Sequence, residues 1–133
     1  MRIVILGCGR TGAQLALDLV AEGHQVTVID ANPDSFHRLG VDFEGDTVLG
    51  TGIDEDVLRE AGIEQADAFI ATTNGDNTNV MAAQVAREVF KVPQVICRIY
   101  DLGREEFYRD TIGLTTISPT RLGVAAIRQQ LRF

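Results

Sequence analysis

The sequence predicts an α/β fold: a doubly wound sheet of six parallel strands in the order 3-2-1-4-5-6, with a crossover-type helix at its end. Three observations predict it. Short apolar runs alternate with amphipathic stretches along the whole chain without a break, which calls for parallel strands joined by right-handed crossovers. The first run, Ile3 to Leu6, feeds into G-C-G-R-T-G at residues 7–12 and then into helical spacing from Ala13 to Val20. A second run, Gln25 to Ile29, ends on Asp30, 18 residues after Gly12, where the acidic partner of a ribose diol is expected.

Each glycine of the turn has a physical use. Gly7 allows the tight exit from the strand, Gly9 has no Cβ to hold a pyrophosphate away from the backbone, and Gly12 lets helix and strand pack closely. The first helical N–H groups then face an anion. With 13 glycines in 133 residues a chance G-x-G-x-x-G is easy, and an unliganded turn could carry the same letters. The order of strand, turn, helix and acid is what marks a Rossmann-like dinucleotide fingerprint.

Glu22, Gly23 and His24 end the first helix, which puts His24 at the amino end of strand two, away from the carboxyl edge where such sheets bind ligands. Asn32 as cap and Pro33 in the first turn open a short helix, with His37 on its surface. Asp46 to Leu49 is strand three, followed by Gly50, Thr51 and Gly52 and a helix from about Asp54 to Ala61 with acids in its first turn. Ala68 to Ala71, apolar throughout, reads as a strand covered on both faces and runs into the polar turn Thr72 to Asn77. From Thr78 to Phe90 the pattern is helical, with Met81, Val85 and Val89 four apart and Ala82, Ala86 and Phe90 beside them on the apolar face. Val95 to Ile99 is strand five. Its Arg98 either reaches the carboxyl edge or is paired with an acid inside. Leu102 to Asp110 is a short helix, Leu114 to Ile117 strand six, and Ser118 with Pro119 opens the last helix. That helix is amphipathic, and its apolar face either covers its own sheet or meets a partner. The boundaries expected are 1–118 for the nucleotide-binding domain and 119–133 for a terminal crossover or dimerisation helix.

Composition limits the function. The chain is one domain, 45% hydrophobic and 23% charged, with no apolar run near the ~20 residues that cross a bilayer and no signal peptide, so a cytoplasmic protein is expected. Nineteen acids against 12 bases give −7, which argues against nucleic acid as a partner. Cys8 and Cys97 lack C-x-x-C spacing and read as small buried hydrophobes. No catalytic residue is assigned: Lys91 is the single lysine, it forms no Tyr-x-x-x-Lys pair with Tyr100 or Tyr108, and neither histidine falls at the ligand edge. No metal-ligand spacing, G-x-S-x-G elbow or P-loop is present. Binding without turnover is the simpler account; the alternative is an NAD-dependent oxidoreductase subunit or fragment.

GCGRTG with its arginine, VTVIDANP, VLREAGIEQADAFIATT, GDNTN and VICRIYD together resemble the nucleotide-binding domain of potassium-transport regulators, the RCK N-terminal or TrkA-N family. The resemblance implies a cytoplasmic domain at the inner face of the membrane that forms a homodimer or a ring-type homo-oligomer. It would bind NAD(H) or an adenine nucleotide (ATP, ADP or AMP) and gate an integral-membrane potassium channel or transporter. It implies phosphate contacts from Gly9, Arg10, Thr11 and Gly12 after Gly7, a ribose contact from Asp30, and Ala31 and Asn32 beside the adenosine. Thr51 and Gly52 would face the adenine, although many members have an acid where Thr51 stands. Thr72, Thr73 and Asn74 match the loop near the distal half of a dinucleotide, Asn79 the asparagine at a helix start, and Arg98 the strand-five arginine. The family's second domain follows a crossover helix, and the chain is expected to end within that helix. Because no arginine directly follows Asp30, NADP is expected to bind at least ~10-fold more weakly than NAD.

Overall fold

The computed structural model describes residues 1–133. Strands β1 (Arg2–Leu6), β2 (Gln25–Asp30), β3 (Asp46–Leu49), β4 (Ala68–Ala71), β5 (Gln94–Arg98) and β6 (Thr115–Ile117) form one sheet in the order β3-β2-β1-β4-β5-β6. Every pairing is parallel, with Ile5 opposite Val28 on one side and Ile70 on the other. The α-helices are α1 (Arg10–Ala21), α2 (Glu55–Glu60), α3 (Asp76–Glu88), α4 (Leu102–Phe107) and α5 (Pro119–Gln130), and a 3-10 helix spans Pro33–Leu39. The expected fold class and strand order are both present.

Side chains alternate across the sheet and seed two cores. Val4, Leu6, Phe69, Ala71 and Cys97 pack with Leu58, Ala82 and Ala86 on one face. Ile3, Ile5, Val26, Val28 and Ala68 pack with Ala13, Ala16 and Leu39 on the other. β1 is buried on both faces from Ile3 onward, as its unbroken apolar run required.

Three details differ from the sequence reading, and a fourth, at α5, settles an alternative it left open. α1 begins at Arg10 rather than Ala13, because the turn after Gly9 is already helical and Ala13 N–H donates to Gly9 O at 2.9 Å. α3 buries Asn79, Val80, Ala82, Ala83 and Ala86, while Met81 and Val89 are half exposed; the small alanines let the helix lie close to the sheet. The helix expected to reach Asp110 ends at Phe107 and passes into a π-turn, Tyr108–Ile112, that stops on Gly113 at φ 81°. α5, capped by Ser118 Oγ accepting from Arg121 N–H at 3.1 Å, has no buried residue. Leu122 is 59% and Ile127 64% exposed, so the last helix does not cover its own sheet.

The histidine and the helix caps stand where the sequence put them. His24 lies at the amino edge, where its Nδ1 is 3.0 Å from the N-terminal amine. Asp54 caps α2 and Asn32 caps the 3-10 helix, each accepting from the backbone N–H two residues on. No helix is long and apolar enough to cross a membrane.

Candidate functional site

The ends of β1, β2 and β4 meet at the carboxyl edge and define a cavity of about 560 Å³. The turn that floors it is held by backbone bonds: Gly7 N–H donates to Ile29 O at 2.7 Å and Thr72 N–H to Leu6 O at 2.8 Å. Gly7 sits at φ 106°, a left-handed conformation open to glycine. At Gly12 a Cβ would overlap Gly7 O and stand 2.9 Å from Thr72 Oγ1, so only glycine permits the approach of α1 to β1. At Gly9 a Cβ would meet nothing within 4 Å; its open side faces the cavity at the N-terminus of α1.

Asp30 is fixed by two backbone donors, Cys8 N–H to Oδ2 at 2.7 Å and Asn32 N–H to Oδ1 at 2.8 Å. Each carboxylate oxygen keeps a lone pair free for a hydroxyl such as those of a ribose. Cys8 is buried, donates its thiol to Ser35 O at 3.3 Å, and has its pKa pushed up by burial first and by Asp30 second. Burial pushes the Cys97 thiol up to about 12, helped by Asp76. Both thiols therefore stay protonated and serve as packing groups.

The opposite wall is the loop Thr72–Gly75, and two buried polar side chains anchor it. Asn79 is fully buried: its Oδ1 accepts from Thr73 N–H at 2.9 Å and Thr73 Oγ1 at 2.6 Å, and its Nδ2 donates to Thr73 O and Arg98 O, both at 2.9 Å. Arg98, 8% exposed, donates Nη2 to Thr72 O and to Thr73 O and lies 4.9 Å from the Tyr100 ring centroid. No carboxylate pairs with it, which removes the interior salt bridge, and its Nε has no partner.

Of the residues singled out from the sequence, Gly7, Gly9, Asp30, Ala31, Asn32, Thr51, Gly52, Thr72, Thr73 and Asn74 line the cavity. Gly12, Asn79 and Arg98 lie behind its walls. Arg10 is exposed at the first turn of α1, and Thr11 borders a separate apolar groove beside Leu15 and Ile117. Ser35 and Arg38 line the cavity without having been singled out. A depression of about 820 Å³ at the amino edge, near Gln25 and Asp46, is larger but has neither the glycine turn nor strand carboxyl ends.

An open parallel sheet with this turn and an acid at the end of β2 defines the class of Rossmann-type nucleotide-binding folds. The TrkA-N domain family model matches residues 3–119, and the chain belongs to that family. It is 54% identical over 121 residues to a Trk system potassium uptake protein TrkA of Streptomyces coelicolor, covering 91% of this chain and 54% of that one. The chain thus spans about half the length of that relative. Among solved structures, the TrkA-N domain of the Escherichia coli inner membrane protein ybaL superposes with TM-score 0.86 at 19% identity, covering 98% of this chain and 96% of that one. The Shewanella denitrificans Kef C-terminal domain in AMP-bound form gives 0.79 at 18% identity, covering 99% and 83%.

Proposed function

We propose that this chain is a regulatory nucleotide-sensing domain of a potassium-transport system. It takes NAD(H) or an adenine nucleotide in the carboxyl-edge cavity and acts by binding rather than by turnover. The observation that carries the reading is the cavity floor: an open face at Gly9, the α1 N-terminus and the doubly anchored Asp30 carboxylate lie together where a nucleotide's phosphate and ribose would fall. The family and the Streptomyces relative supply potassium uptake as the process, and the AMP-bound Shewanella neighbour supports an adenine nucleotide as ligand. The domain would lie in the cytoplasm, bound to a membrane channel or transporter.

Two uncovered apolar surfaces support a homodimer or ring. One is the α5 face with Leu122 and Ile127; the other is the groove formed by Leu15, Leu19, Ile70, Ile96 and Ile117 on the open side of the sheet. A nucleotide that favours one arrangement of the copies would shift the population toward it.

A thermal-shift panel of NAD, NADH, NADP, ATP, ADP and AMP tests the ligand. A ligand at 100 times its Kd stabilises by about 2.7 kcal/mol. For a chain of this length that is a rise of roughly 8–13 °C in Tm. No rise with any of the six would refute the reading.

A further inference from the structure

The cavity has one cationic side chain in its lining, Arg38, and one carboxylate, Asp30. Both are referenced to a single residue of the glycine turn. Cys8 N–H donates to Asp30 Oδ2 at 2.7 Å, and Cys8 O accepts from Arg38 Nη1 at 3.3 Å. Since the N and O of one residue lie within about 3.5 Å of each other, the nearest carboxylate and guanidinium atoms can be no more than about 9.5 Å apart. No ion pair closes that gap. The helix that carries Arg38 is seated, with Leu39 buried in the core and Ser35 O holding the Cys8 thiol. The other guanidinium N–H donors have no protein partner and are free for an anion.

A carboxylate alone repels a phosphate placed on the ribose it binds. A guanidinium within reach of the same substituent offsets that repulsion with charge-assisted hydrogen bonds. Resting on the nucleotide-binding reading above, we propose that Arg38 is a specificity-determining residue: it receives a phosphate on the adenosine ribose beside Asp30, so the site accepts 2′-phosphorylated and unmodified adenine nucleotides with similar affinity. This replaces the preference inferred from Asp30 and its immediate neighbours, because the cation arrives from eight residues further along the chain.

AMP and adenosine 2′,5′-bisphosphate differ only in that phosphate, and NAD with NADP forms a second such pair. Calorimetric titration of the full chain should give Kd values within ~10-fold for each pair. In Arg38→Ala the 2′-phosphorylated member should weaken by at least a further ~10-fold while AMP and NAD change less than ~3-fold. Arg38→Lys should restore most of the difference. Arg38→Gln, which loses the charge and keeps the length, should behave as the alanine variant does and decides the matter if that variant fails to fold. A ratio that Arg38→Ala or Arg38→Gln leaves unchanged overturns the proposal, as does a wild-type ratio well above ~10. If none of the four ligands binds the wild type, this assignment falls; if NADH, ATP and ADP fail as well, the nucleotide reading itself is refuted.

Discussion

Gly9→Ala and Gly12→Ala each add one methyl to the same turn, and the structure assigns them opposite effects. Gly9 precedes α1 at φ −79° and ψ −165°, an extended conformation open to alanine, and its new Cβ would touch nothing within 4 Å. The variant caps the helix less well, by up to about 1 kcal/mol. Its stiffer unfolded chain returns about 0.4–1 kcal/mol, so the apo Tm should stay within roughly 3 °C of wild type. On the proposed binding mode, however, the methyl would stand where a phosphate meets the backbone. Loss of one charge-assisted contact is about 1.5–3 kcal/mol, or ~10–150-fold in Kd. At Gly12 the added Cβ would overlap Gly7 O and crowd Thr72 Oγ1 at 2.9 Å, so α1 must move off β1. Such overpacking costs about 1–3 kcal/mol or more, a fall of roughly 4–12 °C. Scanning calorimetry with titration of NAD and ADP separates the two. Wild-type affinity in Gly9→Ala would show that the turn holds no phosphate, and wild-type melting of Gly12→Ala would show that the close approach is not there.

Arg10→Ala should leave the apo Tm unchanged, since its side chain has no partner within the chain, and should weaken nucleotide binding by ~10-fold or more through loss of a charged contact; strong apo destabilisation would instead assign it to the fold. Asn79→Ala strips partners from Thr73 N–H, Thr73 O and Arg98 O and should cost about 2–3 kcal/mol, with faster hydrogen exchange across residues 72–75 as the specific readout. Glu105 is held below the usual carboxylate range chiefly by the Thr116 hydroxyl and then by Arg121 and Arg109, against the opposing effect of burial. A lowered folded pKa means its contribution is complete above its ordinary value near 4.3 and is lost as pH falls through the folded value. Glu105→Gln should therefore lower Tm at pH 7 by about 1–3 kcal/mol equivalent and flatten the acid limb of the Tm profile. Removing residues 119–133 should shift the protein toward monomer in light scattering; a full chain that is monomeric at high micromolar concentration would leave the oligomer without support.

The strands were legible because β1, β4 and β5 are covered on both faces, and apolar runs of four or five residues between turn signals have few other uses. Asp30 was legible because an acid at the end of β2 falls at a fixed distance from the glycine turn. Arg38 was not. It reaches the cavity from a seven-residue 3-10 helix, whose register differs from that of an α-helix and leaves no periodic signal in the sequence. The inward face of α3 was read in part: Ala82 and Ala86 are buried and Val85 and Phe90 pack against the core, but Met81 and Val89 are half exposed because close packing on the sheet selects small residues, Ala83 among them. Nor does amphipathicity say what an apolar face touches, which is why α5 stood open between its own sheet and a partner.

The anchoring of the cavity wall bears on how a bound nucleotide could be felt elsewhere. Asn79 and Arg98 fasten the loop 72–75 to α3 and β5, and the Asp76 carboxylate accepts from Tyr100 N–H at 2.8 Å and Asp101 N–H at 3.0 Å, fastening α3 to the start of α4. On α4, the 2%-exposed Glu105 side chain accepts from Thr116 Oγ1 at 2.6 Å and Arg121 Nε at 2.9 Å, and Arg121 also reaches Glu106 at 2.7 Å. Continuity of this kind is not coupling, because coupling needs an element with two arrangements that the ligand tells apart. The loop, α3 and α4 are fixed by buried or multiply bonded groups. α5 buries none of its residues and is tied through its Ser118 cap and the Arg121 ion pairs with Glu105 and Glu106, so it is the least anchored of these elements. A nucleotide that acted through α5 would have to favour one of its orientations over another, and the Glu105–Arg121 joint is where that difference would be expressed.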